Sequence, residues 1–546
     1  MKEFLPDWGV LVKKFACLLA VCLFCSVSLP ADEEPGHHRD AGEKLGTVSF
    51  PTSCAPAVQK SFERGVALLH SFWYEEAQKQ FEQVAQQDPK CAMAHWGVAM
   101  TLWHQLWSRP DDAGSKQGWS EVEKARSLHP KSAREREYIS ALADFYRDYA
   151  KRDFMTRATA YSQAMEKVYR DQPEDREAGA FYALSLLASE PPDDNTFANR
   201  KKAIAILNPL FAAKPEHPGL AHYIIHSCDK PQLASLGLDA ARRYAQIAPS
   251  SPHALHMPSH IFARLGLWQE DIQSNLASIA ATQRATAMHM GGEAHQVHAM
   301  DFLMYAYLQV GEDGKAKELV EKMKAMPAMG HGDMAGYVEY ARAEFPALYA
   351  LEMHHWAEAA ALEPPADAEP ANAAISYWAS TIGAAHLRDD AAARKNARQF
   401  ETLLEAARKR KDGYDVDEQN IARDEVRAWL VFAEQKNDDA LRLLRGAADR
   451  QDAHGKGEVE IPAREMLGDM LLELNRPQEA LAEFEKALKT DPNRFNGLYG
   501  AARSAELAHQ AEKANTYYGQ LLKNCDNGAH SERPELARAR TLLAKN

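Results

Sequence analysis

The sequence lacks an excess of positive charge and, beyond its N-terminus, any long apolar run. Its 64 Lys and Arg residues are outnumbered by 77 Asp and Glu residues, which gives a formal net charge of −13. Nucleic-acid binding depends on clustered basic side chains that release counterions from phosphates, so this composition argues against a nucleic-acid partner. Without a second long apolar run, we expect no integral membrane domain once the N-terminal segment is removed.

The sequence also lacks the motifs of common hydrolases and nucleotide-binding proteins. It has no His-Glu-x-x-His pair, no phosphate loop ending in Gly-Lys-Ser/Thr, and no Gly-x-Ser-x-Gly nucleophile elbow. Strand-like alternation of Val, Ile and Thr is scarce, whereas Ala, Leu, Glu, Lys and Arg are abundant, which favours helices. At 546 residues the chain is too long for one compact core, so we expect several domains or one extended repeat array.

The N-terminal residues 1–31 have the features of a secretory signal peptide. Lys13 and Lys14 precede an apolar stretch at residues 15–29, and small residues around Ala31 offer a cleavage site. About fifteen apolar residues are too few for a comfortable membrane span, and an uncleaved anchor is the alternative. Residues 32–53 are polar and contain Pro and Gly, which predicts a disordered leader. We therefore expect an exported protein, periplasmic or secreted, of a bacterial cell envelope.

Two segments near opposite ends of the chain share one pattern of small residues, an aromatic residue and a proline. The successive intervals between these positions are 12, 4 and 8 residues in both segments. The positions are Gly65, Ala77, Phe81 and Pro89 in the first segment and Gly468, Ala480, Phe484 and Pro492 in the second. This is the tetratricopeptide pattern, in which an aromatic side chain fills the groove between helices that touch at small residues. It predicts an all-α superhelical solenoid of stacked antiparallel helix pairs, because one such pair cannot bury its own apolar face.

Degraded copies of the pattern continue between these two segments and extend to the C-terminus. They predict helix pairs that open at or near Ala92, Arg134, Glu174, Pro218, Pro252, Val297, Gly336, Ala371, Val416, Pro462 and Phe495. The charged segment 408–417 is a candidate boundary in this array. We therefore predict an N-terminal and central array at residues 54–407 and a C-terminal array at residues 408–546.

Removal of the signal peptide leaves the cysteines Cys54, Cys91, Cys228 and Cys525. Cys54 and Cys91 stand just before two consecutive repeat-opening helices, and neighbouring helix starts lie close together in a solenoid. Disulfides persist in oxidising compartments, so a Cys54–Cys91 disulfide is predicted for an exported chain. The alternative is two buried thiols.

The stretch from residue 219 to residue 307 is rich in histidine. His222 and His226 are four residues apart, as are His256 and His260, so each pair projects from one face of a helix. The two pairs are offset by 34 residues, the length of one tetratricopeptide repeat, so equivalent positions stack. Pro258 lies inside the second pair and either starts a helix or bends one, and a bend would re-aim His260.

The next repeat continues this register. With Gly311 as its turn glycine, His298, Asp301 and Tyr305 take the second, fifth and ninth positions of its first helix. In tetratricopeptide repeats the fifth and ninth positions face the concave groove, as similarity to that architecture implies. First helices pack roughly 10 Å apart, so side chains from two or three of them could meet at one ion. The predicted metal ligands are His222, His226, His256, His260, His298 and Asp301.

Other side chains of the same stretch are candidates for ligand binding. They are Tyr305, Asp229, His253 and His295. Imidazole together with carboxylate suits Zn, Cu, Fe or Ni better than Ca or Mg. Cys228 would add a soft thiolate, but it lies off the helix face that carries the histidines. The alternative is that these histidines are semi-buried packing residues, hydrogen-bonded to carbonyl or carboxylate oxygens, with no metal.

Four runs, at residues 65–74, 88–97, 222–226 and 256–262, together resemble a group of bacterial tetratricopeptide-repeat proteins. The most specific of them is His256-Met-Pro-Ser-His260, and His222-Tyr-Ile-Ile-His226 is another. The resemblance extends from about Cys54 to the C-terminus. It implies a helical repeat array with these histidines as a shared feature, and it implies no particular reaction.

These features suggest a binding or scaffold protein of the cell envelope. Its groove would hold a protein or peptide partner, and its histidine-rich concave pocket would bind a transition metal, Zn, Cu or Fe, or a small ligand. The alternative is a metal-dependent enzyme, a hydrolase or an oxidase, in which Asp301, Asp229 or Tyr305 handles protons. A third possibility is metal storage or delivery, which requires binding without catalysis. We favour the scaffold.

Overall fold

The computed structural model describes residues 43–106, 108–191, 194–290, 293–327, 336–410, 416–526, 529 and 531–544. Residues Lys44–Asn546 form one compact unit. Within the described residues the regular secondary structure is helical, and only an isolated β-bridge joins His104 to Ser108. None of the described helices has the length and apolar character needed to cross a membrane. The predicted signal peptide, residues 1–31, lies outside the described residues.

The helices follow one another with short connections. The N-terminal ones are α1 (Gln59–His70), α2 (Tyr74–Gln87), α3 (Ala92–Thr101), α4 (Asp112–Ser127), α5 (Ala133–Tyr146), α6 (Phe154–Asp171), α7 (Arg176–Ala188) and α8 (Ala198–Ala213). The central ones are α9 (Pro218–Cys228), α10 (Leu238–Ile247), α11 (Pro252–His256), α12 (Pro258–Arg264), α13 (Trp268–Ala287), α14 (Glu293–Gln309) and α15 (Asp313–Ala325). The C-terminal ones are α16 (Tyr337–Glu352), α17 (Trp356–Ala360), α18 (Pro370–His386), α19 (Asp390–Arg410), α20 (Val416–Ala433), α21 (Asn437–His454), α22 (Ala463–Glu473), α23 (Pro477–Thr490), α24 (Phe495–Leu507), α25 (Ala511–Asn524) and α26 (Pro534–Leu543).

Each helix packs chiefly against the helices before and after it in the chain. Helices joined by so short a turn pack side by side only if they run antiparallel, as α1 and α2 do on either side of residues 71–73. Several repeats open where the sequence predicts, since helices begin at Ala92, Pro218, Pro252, Val416 and Phe495. The predicted all-α solenoid of stacked antiparallel helix pairs is confirmed.

The pattern residues pack as the tetratricopeptide spacing predicts. A Cβ atom added at Gly65 or Gly97 would stand 2.7 Å or 2.4 Å from the ring of Phe81, so this ring fills the space between two first helices. In the C-terminal repeats the Phe484 ring is equally close to the corresponding glycines of α22 and α24. Glycine is needed at these positions because any side chain would displace the ring.

The predicted disordered leader, residues 32–53, is wrong for residues 44–53. The backbone N–H of Thr47 donates to the carbonyl oxygen of Glu216 at 2.8 Å. Phe50 is fully buried, and its ring centroid lies 5.4 Å from that of Phe62 and 5.5 Å from that of Trp96. One aromatic anchor thus fixes a segment whose polar composition suggests disorder, because it buries a large apolar area in the first repeat. Residues 32–42 lie outside the described residues.

Cys54 and Cys91, the pair predicted from the repeat register, are joined by a disulfide. The bond connects the residues that precede α1 and α3 and so ties the starts of two neighbouring first helices together. Cys228 and Cys525 are free thiols, and both are buried.

Apolar packing crosses the predicted boundary between residues 407 and 408. One buried apolar cluster includes Ala347 and Ala385 before this point and Trp429 and Phe484 after it. The reason is that α20 packs on both α18 and α19, so the apolar stacking continues through the charged segment. Residues 411–415 of that segment lie outside the described residues.

The C-terminal repeats also pack against the central ones. The guanidinium group of Arg494, just before α24, contacts the hydroxyl group of Tyr305 on α14. The indole N–H of Trp268 donates to the carbonyl oxygen of Asn493 at 2.8 Å. These contacts join the central repeats, which carry the histidines, to the C-terminal ones.

Candidate metal-binding site

The predicted histidines lie on four helices of the central repeats, α9, α11, α12 and α14. In chain order they are His222, His226, His253, His256, His260, His295 and His298. Their ligand atoms form two groups, within each of which all the atoms lie within 4.8 Å of one another. We call the group of His222, His226 and His253 the first cluster. The group of His256, His260 and His298 is the second cluster.

Pro258 interrupts the helix between two of these histidines. Helix α11 ends at His256 and α12 begins at Pro258, while Met257 between them keeps helical angles of φ −51° and ψ −33°. The interruption arises because the proline nitrogen cannot donate to the preceding turn. The Nε2 atoms of His256 and His260 lie 3.0 Å apart across it.

The first cluster joins two repeats. His222 on α9 and His253 on α11 place their Nε2 atoms 3.1 Å apart. The His226 ring lies 4.7 Å from that of His222, centroid to centroid, and its Nε2 atom is buried without a hydrogen-bond partner among the described residues. The Nδ1–H of His222 donates to the carbonyl oxygen of His70 at 2.6 Å. Because that carbonyl can only accept, the lone pair of neutral His222 is on Nε2 and points into the cluster.

In the second cluster, hydrogen bonds also fix which nitrogen of His256 carries the proton. The side-chain amide of Asn275 donates from Nδ2 to the carboxylate of Asp271 at 2.7 Å, so its Oδ1 faces His256. His256 Nδ1 therefore donates to that oxygen at 2.7 Å, and its Nε2 lone pair is directed at His260.

The other two imidazoles of the second cluster have acceptors at Nδ1 as well. His260 Nδ1 lies 2.9 Å from an oxygen of Asp229 and 3.1 Å from an oxygen of Glu458. His298 Nδ1 lies 3.0 Å from the hydroxyl oxygen of Tyr337. Hydrogen bonds from Nδ1 to such groups are the usual way in which proteins orient a metal-binding imidazole.

Two facing Nε2 atoms are held together either by a proton on one of them, donated to the lone pair of the other, or by a metal ion bound to both. Two nitrogens bound to one ion at about 2.0 to 2.1 Å in tetrahedral geometry lie roughly 3.3 Å apart, close to the separations seen in both clusters. The geometry thus suits either a shared proton or a bound ion with a modest opening of each pair.

Burial keeps most of these imidazoles neutral. It lowers the pKa of His222 to about 3 and holds the pKa of His226, His253, His256 and His298 well below the usual range, with further lowering by neighbouring imidazoles. Neutral imidazole is the form that binds metals.

His260 is the exception among the cluster imidazoles. Burial alone would lower its pKa, but the adjacent carboxylates of Asp229 and Glu458 outweigh this effect and raise the pKa to about 10. Without metal, His260 is therefore an imidazolium at neutral pH, with a proton on each ring nitrogen.

The site is enclosed, which differs from the open concave groove that the tetratricopeptide register predicts. His222, His253 and His256 are at most 2% exposed. The ring of Phe72, from the turn between α1 and α2, stacks on His226 and His253 at centroid distances of 5.5 and 5.7 Å. The groove is closed because this turn covers the first cluster and the segment that carries Glu458 covers His260.

Asp301 and Tyr305, predicted from the same register, do not reach the clusters. Asp301 accepts a hydrogen bond from the hydroxyl of Tyr337 at 2.7 Å and so lies behind His298, one residue removed. Tyr305 donates to the carbonyl oxygen of Glu460 at 2.8 Å and contacts the guanidinium group of Arg494. Asp301 can therefore orient His298 only through Tyr337. The contacts of Tyr305 join α14 to the C-terminal repeats and do not involve the clusters.

The remaining candidates take different positions around the clusters. His253 lies within the first cluster, and the His295 ring lies beside it at a centroid distance of 5.1 Å. Asp229 also accepts from Nε of Arg264 at 3.1 Å, so it is held on both sides. Cys228 is outside both clusters, and burial raises the pKa of its thiol to about 12.

Sequence reasoning missed a second buried network next to the first cluster. Glu177 on α7 binds Nε2 of His70 at 2.7 Å and Nε2 of His217 at 2.9 Å. Burial would raise the pKa of Glu177, but these two imidazoles lower it. The same His70 accepts the Nδ1–H of His222 at its carbonyl oxygen, so this network holds a cluster residue in place.

Glu458, Asn275 and Tyr337 were also missed. Asn275 lies on the second helix of the repeat that carries His256. A polar residue at a buried position of that helix could have been recognised from the sequence as a partner for a histidine. Glu458 precedes α22 and Tyr337 begins α16, and no repeat spacing links either residue to the histidines.

The tetratricopeptide repeat family model matches residues 73–116, 426–495 and 465–529. No curated protein matches the chain. Among solved structures, the human IFIT1 dimer with m7Gppp-AAAA is similar at 13% identity and a TM-score of 0.36, over 79% of this chain and 90% of that chain. The APC/C hetero-tetramer Cut9–Hcn1 is similar at 13% identity and a TM-score of 0.30, over 89% of both chains.

At these identities and TM-scores, neither structure assigns a ligand or a partner to this chain. The family match rests on the first two repeats and on the C-terminal repeats. These are the regions in which Phe81 and Phe484 fill the space between glycine-bearing helices. The chain therefore carries tetratricopeptide repeats at both ends of its helical array.

Proposed function

We propose that this chain is a helical-repeat binding protein whose central repeats hold a transition-metal ion between imidazoles. The observation that carries the proposal is the convergence of imidazole nitrogens in two adjacent clusters, with Nδ1 of His222, His256, His260 and His298 bound to an acceptor. Histidines that only fill a core need no such shared direction, whereas metal ligands do.

The second cluster is the better supported of the two sites. Its three imidazoles come from three helices, α11, α12 and α14, so their positions depend on tertiary packing. Asp229 and Glu458 would compensate the charge of an ion through His260. An all-nitrogen donor set without thiolate suits Zn, Cu or Fe. Three protein ligands leave a further coordination position for water or a small ligand.

The repeat fold supports a protein or peptide as the partner, since helical arrays offer long surfaces for extended segments or helices. The net charge of −13 disfavours a nucleic-acid partner. Because the histidines are buried, the partner would bind elsewhere on the array. The Cys54–Cys91 disulfide supports an exported protein, periplasmic or secreted.

A metal-dependent enzyme, a hydrolase or an oxidase, is a second candidate. The observation in its favour is a chain of contacts from His298 through Tyr337 to Asp301. Burial raises the pKa of Asp301 to about 7, which suits proton transfer at neutral pH. The enclosed site argues against a large substrate.

The test of metal binding is elemental analysis of protein purified without an affinity tag. The substitutions His256→Asn and His260→Asn together should abolish stoichiometric metal. A matched control carries His129→Asn and His509→Asn, two exposed histidines far from the clusters in sequence, and should keep the metal. Both variants are checked for native helix content by circular dichroism.

Absence of metal in the native protein, together with no uptake of Zn, Cu or Fe on titration, would contradict the proposal. Equal metal content in the site variant and the control would contradict it as well, because the ion would then bind elsewhere. Turnover lost in the site variant and kept in the control would favour the enzyme.

A further inference from the structure

A cavity of about 220 Å³ lies among α16, α18, α19 and α20, away from the histidine clusters. Its wall is mostly apolar, with Leu348, Ile375, Trp378, Phe400 and Leu404 among the lining residues. Cavities for drug-sized ligands begin at about 300 Å³, so a ligand here would be small. An apolar wall of this kind binds a hydrocarbon body by removing it from water.

The charged groups that line this cavity are acidic. Glu344, Glu418, Glu425 and Glu460 line it, and the lining residues that the structure describes include no Lys, Arg or His. Glu344 is 5% exposed and Glu425 is 4% exposed. Buried acidic side chains are normally paired with a cation. Here the cavity itself is the place where a cation would sit.

One carboxyl oxygen lacks a partner. Glu344 accepts a hydrogen bond from the hydroxyl of Tyr340 at Oε1, but its buried Oε2 has no hydrogen-bond partner among the described residues. Glu425 accepts from the indole N–H of Trp378 at 2.8 Å. Native proteins seldom leave a buried polar atom unsatisfied, and such an atom beside a cavity indicates a missing hydrogen-bond partner.

We propose that this cavity binds a small organic amine in its ammonium form, with the apolar body on the aromatic wall and the ammonium group on Glu344 and Glu425. The proposal is independent of the metal site. A carboxylate ligand would face four glutamates with no cation among the described lining residues to compensate it. A neutral hydrocarbon would leave Oε2 of Glu344 unsatisfied.

The protons balance in a way that can be measured. Burial raises the pKa of Glu425 to about 8 and holds that of Glu344 well above its usual range, so without ligand Glu425 is largely protonated at neutral pH. The amine enters as an ammonium ion, and a carboxyl group that binds it releases its proton to the solvent. No other group is oxidised, reduced or transferred.

The test is isothermal titration calorimetry of the full chain at pH 7 with n-hexylamine, n-hexanol and n-hexanoate. We expect n-hexylamine to bind at least tenfold more tightly than either isostere. Repeating the titration in buffers of different ionisation enthalpy should show proton release on amine binding. Binding of n-hexanol as tight as that of n-hexylamine, or no binding of the amine at millimolar concentration, would overturn the proposal.

Two variants locate the site. Glu344→Gln with Glu425→Gln should weaken n-hexylamine at least tenfold, while Glu405→Gln, an exposed glutamate on α19, should leave it unchanged. Ala374→Leu fills the cavity without changing any charge and should also abolish binding, which covers the case in which the double variant fails to fold. Unchanged affinity in the cavity-filling variant would overturn the assignment.

Discussion

The ends of the array and its centre are built from the same kind of helix pair, but they bury different side chains, apolar at the ends and imidazole in the centre. At the ends, Phe81 and Phe484 fill the space between first helices with a ring that packs directly on glycine. In the centre the interior contains two clusters of imidazoles. An apolar filling is complete in itself, whereas facing imidazoles are stabilised by a proton or an ion between their nitrogens. The end repeats thus maintain the fold by apolar packing, whereas the packing of the central repeats depends on a bound proton or ion.

The largest effect is expected from removing an apolar filling. Phe484→Ala should lower the free energy of unfolding by about 3 to 5 kcal/mol, because the adjoining Gly468 and Gly500 offer no side chain that could close the cavity. Urea unfolding followed by circular dichroism measures this, with Phe484→Leu as the milder control. The loss should be the same with and without added metal. A loss that metal restores would contradict the separation between ends and centre.

The central repeats should respond to metal in the opposite way. At an ion concentration 100 times the dissociation constant, metal should raise the free energy of unfolding by about 2.7 kcal/mol. The variant with His256→Asn and His260→Asn should show no such gain, because two of three ligands are gone. Thermal unfolding with and without Zn²⁺ measures the difference. Equal stabilisation of the variant and the native chain would show that the ion acts outside the cluster.

A smaller effect is expected from a residue that orients a ligand. Asp229→Asn should weaken metal binding 10- to 100-fold, the usual cost of losing a carboxylate partner of a ligating histidine. The ligand set itself stays complete. Asp239→Asn, an exposed residue on α10, is the matched control and should bind normally. Competition with a chelator of known affinity gives both constants. Equal affinities would mean that Glu458 alone orients His260.

The sequence is informative where one feature repeats at a fixed spacing. The spacing from Gly65 to Pro89 and from Gly468 to Pro492 predicts which ring fills which groove, because all the contacts lie within one repeat and its neighbour. The offset of 34 residues likewise predicts that the histidine pairs approach one another. His226 and His260, at equivalent positions, indeed lie 6.3 Å apart, centroid to centroid.

The partners inside the site follow no such spacing. His222 contacts His253 rather than its equivalent, His256, because His253 lies one turn earlier on the same helix and is nearer to α9. Phe72 and Glu458 reach the clusters from residues more than 140 positions away in sequence. They close the site through packing between distant repeats. Burial therefore could not be predicted from the register, which describes neighbouring helices only.

The smallest effect concerns the carboxyl-lined cavity, an intermediate case between the apolar ends and the histidine-rich centre. Burial raises the pKa of Glu425 from 4.5 to about 8 in the folded chain, so between these values the folded state holds a proton that the unfolded state has lost. Stability from this group is therefore present at pH 4.5 and is lost as the pH rises through 8. Glu425→Gln should remove this loss. Relative to the native chain, the free energy of unfolding of the variant should be about 1 to 2 kcal/mol higher at pH 9 than at pH 5. This is a fraction of the full shift, because the cavity admits water. Urea unfolding at both pH values measures it, and a pH dependence equal to that of Glu405→Gln would mean that Glu425 titrates normally.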